Sequence, residues 1–264
     1  MMNSYIKCGD SLLLMADIPD GVVDLVVTSP PYDNLRSYNG NIEAWNFEKF
    51  KAIAKELHRV TADGGVIVWV VSDATINGSE TGTSFRQALY FKEIGFNIHD
   101  TMIWEKPTFT ATGSLAVRYA PVFEYMFVFS KGRPKTFNPI MDKINATAGS
   151  KFSGTIRNRD GSMKPMSNIG KRVRQFGQRY NVWHISACNS KKERLGHPAP
   201  FPEALAHDHI ISWSNEGDLV LDCFMGSGTT CLAANNTGRR YIGFELDPVY
   251  FEIARNRLRD VIDK

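Results

Sequence analysis

The segment Val220-Leu-Asp-Cys-Phe-Met-Gly-Ser-Gly-Thr-Thr230 constrains the fold of this chain more than any other stretch. The apolar run Leu219 to Leu221 reads as a buried strand, Gly226 and Gly228 let backbone approach a ligand closely, and Thr229 to Asn235 has the composition of a helix. Strand, glycine turn and helix in that order form a nucleotide-type cradle, although a tight turn alone would read the same way. About twenty residues downstream, Arg240-Tyr-Ile-Gly-Phe-Glu245 is a second apolar strand ending in a carboxylate, at the distance where doubly wound folds place an acceptor for ribose hydroxyls.

The remaining periodicity fits the same architecture. Strands are predicted over Val22 to Thr28, Gly65 to Val71, Ile98 to Glu105, Val122 to Ser130, Leu219 to Asp222 and Tyr241 to Glu245. Helices are predicted over Asn46 to Val60, with Phe47, Phe50, Ile53, Ala54 and Leu57 on one face, and over Ser84 to Ile94, Pro202 to Trp213 and Tyr250 to Leu258. This alternation predicts a doubly wound, mostly parallel α/β sheet with helices on both faces, whose sequence begins mid-sheet. Its loop lacks the third glycine of a dinucleotide fingerprint and the Gly-Lys-Ser/Thr of a phosphate-binding loop, so neither NAD nor ATP is favoured. Among common ligands with a ribose but no phosphate, S-adenosylmethionine remains.

Between Lys131 and Arg194 the pattern disappears. That window holds 15 Lys plus Arg against 3 acids, a net +12, so an overall charge of +3 leaves 3 − 12 = −9 on the rest. A basic segment on an acidic scaffold suits a phosphate backbone, with Arg157, Arg159, Lys171, Arg172, Arg174 and Arg179 as candidate contacts; a solvated loop is the bland alternative. The chain is thus expected to divide at 1–130, 131–195 and 196–264. With 264 residues and 43% hydrophobic composition it can bury one sizeable core plus an insertion. No h-region opens it and apolar runs such as Val66 to Val71 are too short for a bilayer, so a soluble cytoplasmic protein is expected.

Cys8, Cys188, Cys223 and Cys231 show no Cys-x-x-Cys spacing and read as free thiols, and no metal is expected. His207 and His209 point to different faces of a helix and read as a solvated surface. No Pro-Cys pair occurs, which leaves covalent attack on a pyrimidine ring without its usual nucleophile.

Six motifs share one order and spacing: Cys8-Gly-Asp-Ser11 with Leu12 and Met15, Asp24-Leu-Val-Val-Thr-Ser-Pro-Pro-Tyr32, Asn181-Val-Trp-His-Ile185, His197-Pro198 with Phe201-Pro202, the glycine loop, and Glu245. Along nearly its whole length the chain resembles the β-class DNA amino-methyltransferases. Cys223 is a departure, standing where that family usually has proline. The resemblance implies a Rossmann-like methyltransferase sheet with a circularly permuted motif order: 1–130 as catalytic half, 131–195 as basic target-recognition insertion and 196–264 as cofactor-binding half. It also implies S-adenosylmethionine as cofactor and double-stranded DNA as substrate. A homodimer would be in keeping, and any restriction endonuclease would be a separate protein.

The same resemblance assigns roles. Asp10 would lie near the adenine amino group and Glu245 on the ribose hydroxyls, with Phe224, Gly226, Ser227 and Gly228 lining the pocket and Thr229 and Thr230 at the helix start. Phe201 and Pro202 would pack on the far side, and Asp222 would stand beside the methionine portion. Helix capping by Asp10 and turn formation by Asp222 are the structural alternatives. Trp183 reads as a buried anchor; Arg36, with Tyr38, reads either as a loop contact to DNA or equally as an ordinary surface loop.

Ser29, Pro30, Pro31 and Tyr32 carry the chemistry. An exocyclic amine of cytosine or adenine is a poor nucleophile because its lone pair is delocalised into the ring. Acceptors beside it, here the Ser29 hydroxyl and the Pro30 carbonyl, favour a pyramidal nitrogen; the prolines hold the turn rigid and Tyr32 offers a face for a flipped base. In the family the chain resembles, serine ahead of the prolines is commoner in cytosine-N4 enzymes and aspartate in adenine-N6 enzymes, so the resemblance implies cytosine N4 with adenine N6 as runner-up, and hydrogen bonding alone does not choose between them. RNA or protein methyltransferases usually carry asparagine there and place the cofactor loop first. A non-enzymatic DNA-binding module would leave the two pockets unexplained.

Overall fold

The computed structural model describes residues 2–32, 45–107, 116–188 and 201–262. The chain opens with β1 (Tyr5–Cys8), α1 (Ser11–Met15), β2 (Val23–Thr28), α2 (Phe47–Val60) and β3 (Thr61–Val71). A small hairpin of β4 (Thr75–Ile76) and β5 (Ser79–Glu80) precedes α3 (Thr83–Glu93), β6 (Asn97–Glu105) and β7 (Phe123–Ser130). Four short strands follow: β8 (Lys143–Ile144), β9 (Thr155–Arg157), β10 (Met163–Pro165) and β11 (Phe176–Gly177). The chain then runs through β12 (Val182–His184), α4 (Glu203–Trp213), β13 (Leu219–Asp222), α5 (Thr229–Asn236), β14 (Arg240–Glu245) and α6 (Pro248–Ile262).

Eight strands form one sheet in the order β1-β14-β13-β2-β3-β7-β6-β12. All its pairs are parallel except those of β7, which runs antiparallel to both β3 and β6. The sheet is therefore mostly parallel, but the expectation that the chain begins mid-sheet is corrected: β1 lies at an edge beside β14. Tyr5-Ile-Lys-Cys is four half-exposed residues, too few and too polar to announce a strand, and backbone pairing to β14 is what holds it extended.

Both faces of the sheet are covered. On one, Ile67, Trp69 and Val71 of β3 join Phe127 and Phe129 of β7 against Phe50, Ile53 and Leu57 of α2 and Phe91 of α3. The intervening Val66, Val68 and Val70 are just as buried, which is why β3 reads as a continuous apolar run rather than an alternating one. Asn46 caps α2 by accepting from the Lys49 amide at 2.9 Å, and Phe50, Ile53, Ala54, Leu57 and Val60 supply its buried stripe. At the helix end, Arg59 donates to the carbonyls of Met15 and Ile18, both at 2.8 Å, and so ties α2 to the end of α1.

On the opposite face α4 packs against α5 and α5 against α6. Here the expectation of a solvated His209 is corrected: the ring is fully buried, stacks on Trp183 with centroids 4.3 Å apart and brings Nε2 within 3.2 Å of Met126 Sδ. His207 is half-buried beside Asp208. Close packing also explains Gly243 in β14, where an added Cβ would overlap Met225 Sδ and stand 2.6 Å from Cys231 Sγ. No helix among the described residues is long and apolar enough to cross a membrane.

Residues Pro139–Tyr180 form a second compact unit. The window read as patternless contains two antiparallel pairs, β8 with β11 and β9 with β10, and a Lys151–Arg172 bridge. These strands are two or three residues long and largely exposed, below the length at which a hydrophobic period shows in sequence. Within the unit Arg179 pairs with Asp142, which holds the Asp142 carboxyl below its ordinary range.

Candidate active site

From β2 the chain proceeds to β3 on one side, and from β13 to β14 on the other, so the sheet order reverses between β2 and β13. A crevice opens at such a reversal beyond the carboxyl ends of the strands, and ligands of doubly wound folds bind there. Ser29-Pro-Pro-Tyr32 follows β2 and Phe224 to Gly228 follows β13, placing both sequence-predicted motifs at this crevice. The register sets Cys8 opposite Glu245 and Asp222 opposite Gly243, so Asp10 and Glu245 lie at the same edge.

The seam between the two strands is pinned by side chains. Thr28 Oγ1 donates to Asp222 Oδ1 at 2.6 Å, the Phe224 amide donates to the same oxygen at 3.1 Å, and Thr230 Oγ1 donates to the Val27 carbonyl at 3.1 Å. Asp222 is buried, and loss of water pushes its carboxyl up to about 6 against the opposing pull of these hydrogen bonds. Its bonds are those of a tie across the seam. Cys223 is buried beside Thr28; burial and the neighbouring Asp222 push its thiol up, so it is an inert packing residue.

Glu245 closes the glycine loop. Its Oε2 accepts from the Gly226 amide at 2.7 Å and its Oε1 from the Asp247 amide at 2.8 Å. Burial raises the carboxyl, with those two amides pulling the other way. Each oxygen retains a second lone-pair site, so a vicinal diol can still be received. Gly226 and Gly228 both take positive φ, 52° and 82°, and a Cβ on Gly228 would stand 3.0 Å from that of Ala254 on α6. The loop is held from below by Arg257 of α6, which donates to the Ser227 carbonyl at 2.6 Å and reaches Thr229 Oγ1 at 3.3 Å.

Ser227, Thr229 and Thr230 are correspondingly buried, and their side chains face the protein. Asp10 is the N-cap of α1, accepting from the Leu12 amide at 2.8 Å, and pairs with Lys49 at 2.5 Å. Gly9 donates its amide to the Glu245 carbonyl at 2.8 Å, bringing the Asp10 turn against the end of β14. Phe224 meets Trp45 edge-on, centroids 5.2 Å apart, and Trp69 at 6.1 Å. Phe201 precedes α4, whose N-cap position is taken by Pro202.

At the catalytic motif, Ser29 Oγ donates to Tyr32 Oη at 3.1 Å and Tyr32 Oη to Glu124 Oε2 at 2.6 Å; Glu124 is also ion-paired with Lys106. Glu124, Lys106, Lys49, Trp45 and Arg257 escaped the sequence reading. Only Glu124 left a signal, a lone acid within the apolar run Phe-Glu-Tyr-Met-Phe-Val-Phe of β7. Of the basic candidates, Arg157, Arg159, Lys171, Arg172 and Arg174 are exposed, while Arg179 is committed to Asp142 and Arg172 donates to the Gly149 carbonyl at 2.8 Å. Arg36, Tyr38 and His197-Pro198 lie outside the described residues.

A family profile for DNA methylases matches residues 23–256. The chain is 51% identical over 252 residues to the orphan methyltransferase M.BamHII of Bacillus amyloliquefaciens, spanning 93% of this chain and 92% of that one. It is 29% identical over 257 residues to the DNA adenine methyltransferase YhdJ of Escherichia coli (strain K12), spanning 95% and 81%. The cytosine-N4-specific PvuII DNA methyltransferase shares the fold, with a TM-score of 0.69 at 23% identity over 97% of this chain and 86% of that one. A DNA modification methylase of Thermus thermophilus, solved with S-adenosyl-L-methionine, has a TM-score of 0.62 at 26% identity over 97% and 95%.

The raised Asp222 carboxyl has a measurable sign. Folded, it titrates near 6, against about 4 in an unfolded chain. The folded state therefore binds the extra proton between those values, and stability falls as pH rises through that window. Asp222→Asn keeps an acceptor for Thr28 but removes the titration. Urea unfolding across about pH 4 to 6 is expected to show a shallower fall in the variant, by up to about 1.4 kcal/mol per pH unit. Equal slopes in both proteins would count against a buried, raised Asp222.

Proposed function

Because the chain belongs to the N6/N4 DNA methylase family, we propose that it methylates an exocyclic amino group of a base flipped from a specific duplex DNA sequence, cytosine N4 first and adenine N6 as the alternative. The observation that carries this reading is the switch-point crevice, where Ser29-Pro-Pro-Tyr32 after β2 faces the glycine loop after β13. We read the motif order as permuted, with the Ser-Pro-Pro-Tyr motif after β2 preceding the glycine loop after β13 in sequence.

The residues at the crevice suit S-adenosylmethionine. Glu245 retains lone pairs for a ribose diol, positive-φ glycines bring bare backbone to the pocket, and no lysine occurs in the loop to meet a phosphate. When bound, the cofactor supplies a methyl group whose carbon–sulfur bond breaks with its electron pair going to sulfur. The protein's part is positioning. Ser29 Oγ and the Pro30 carbonyl accept amino protons of the target base, the nitrogen lone pair is thereby directed at the methyl carbon, and the methylated nitrogen sheds one proton to water. Tyr32 supplies the stacking face.

The unit Pro139–Tyr180 holds 9 Lys plus Arg against 2 acids, and is read as the part that meets the DNA backbone. Serine ahead of the prolines supports cytosine N4; the likeness to an adenine methyltransferase keeps adenine N6 in view.

Glu245→Ala is expected to weaken S-adenosylmethionine binding by about one to two orders of magnitude, the loss of a charge-assisted hydrogen bond, measured by calorimetric titration. Affinity at the parental level would remove Glu245 from the cofactor site. Nucleoside mass spectrometry of DNA methylated in vitro is expected to find N4-methylcytosine; N6-methyladenine alone would overturn the cytosine preference, and 5-methylcytosine the amine mechanism. Neutralising Arg157, Arg159, Lys171 and Arg174 together is expected to flatten the salt dependence of DNA binding by about one unit of slope per lost phosphate contact. A parental slope would make the unit a bystander.

A further inference from the structure

Resting on the reading of Ser29 as an acceptor for the target amine, we propose that Glu124 and Lys106 are positioning residues that fix the polarity of the Ser29 hydroxyl, so that it offers the base lone pairs and no proton. Glu124 stands on β7 directly opposite Trp104 of β6, two residues before Lys106, and is 8% exposed. A carboxylate buried to that degree needs a counter-charge, and the Lys106 ammonium on Oε1 supplies it. The other oxygen, Oε2, receives Tyr32 Oη at 2.6 Å.

The direction of the whole chain follows from proton counting. An ionised carboxylate can only accept, and a hydroxyl has one proton to give. Tyr32 must therefore donate to Glu124, which leaves its oxygen as an acceptor; Ser29, 3.1 Å away, donates to it. The proton of Ser29 is thus directed inward, and only its lone pairs face a bound base. In isolation a serine hydroxyl could accept an amino proton and at the same time donate to cytosine N3 or adenine N1. With its proton held by Tyr32 it cannot serve the ring nitrogen, and its whole interaction goes to the amino group whose lone pair must be localised. Charge at the inner end of the chain strengthens each bond outward from it.

Single-turnover methyl transfer, with saturating labelled S-adenosylmethionine and duplex DNA from a methylation-free source, tests this. Glu124→Gln is isosteric but can donate as well as accept, so it releases the polarity. Its kcat is expected to fall about tenfold, the worth of one net hydrogen bond, with DNA KM and cofactor affinity near parental. Tyr32→Phe keeps the ring and the Lys106–Glu124 pair while freeing the Ser29 proton, and is expected to lose a similar factor. The double variant is expected to be no slower than the slower single, because both act through one relay. Parental kcat in Tyr32→Phe, parental kcat in a folded Glu124→Gln, or additive losses in the double variant would each overturn the proposal. Ser29→Ala separates the two levels: a parental rate there defeats the reading of Ser29 itself, whereas a slow Ser29→Ala beside a fully active Glu124→Gln defeats only the relay.

Discussion

The Thr28–Asp222 hydrogen bond is the contact on which the site depends. It ties β2 to β13, which also pair through their backbones at Leu25–Val220 and Val26–Leu221, at the point where the sheet order reverses and where the Ser-Pro-Pro-Tyr turn and the glycine loop both begin. Placing a carboxylate in an apolar seam opposes its ionisation, and the raised Asp222 carboxyl records that. The seam accommodates it because Thr28 and the Phe224 amide both donate to it, and because Thr230 secures α5 to the Val27 carbonyl alongside.

Around that seam, rigidity comes from close backbone approach. Gly243 lets Met225 and Cys231 lie directly on β14, and Gly228 lets the start of α5 lie against Ala254 of α6. Arg257 then holds the loop through the Ser227 carbonyl, at the cost of a guanidinium whose burial lowers its proton affinity. The glycine loop is thus shaped from beneath by packing, its Phe224, Met225, Gly226 and Gly228 amides are held within the protein, and the second lone pairs of the Glu245 carboxylate are left for a ligand. Pre-arranged groups of this kind need little reorganisation at the moment of reaction.

Much of this was legible in the sequence, for identifiable reasons. Leu219–Asp222 and Arg240–Glu245 are continuous apolar runs because both sheet faces are covered, and α2 shows its buried stripe at helical spacing. Strand and turn spacing located the glycine loop and Glu245, whereas Asp10 was reached only through the family resemblance, and the pairing of β1 with β14 is what sets it beside Glu245. Illegible were contacts whose partners are far apart in the chain: Tyr32 with Glu124, 92 residues away, and Thr28 with Asp222, 194 away. The burial of His209 was equally hidden, because a helix face says nothing about which neighbour covers it, and α4 turns that residue onto Trp183 and Met126.

By itself, then, the sequence determined six strands of the main sheet (β2, β3, β6, β7, β13 and β14), the helices α2 to α6, a mostly parallel α/β class and the residue types at the crevice, since period, glycine placement and terminal carboxylates are local properties of the chain. Only the tertiary structure decided that β1 closes one edge, that Ser227, Thr229 and Thr230 turn into the protein, and that Glu124 with Lys106 stands behind the catalytic tyrosine. The physical reason is that strand order and hydrogen-bond direction are set by which distant groups share a buried space, where each polar atom must find its partner.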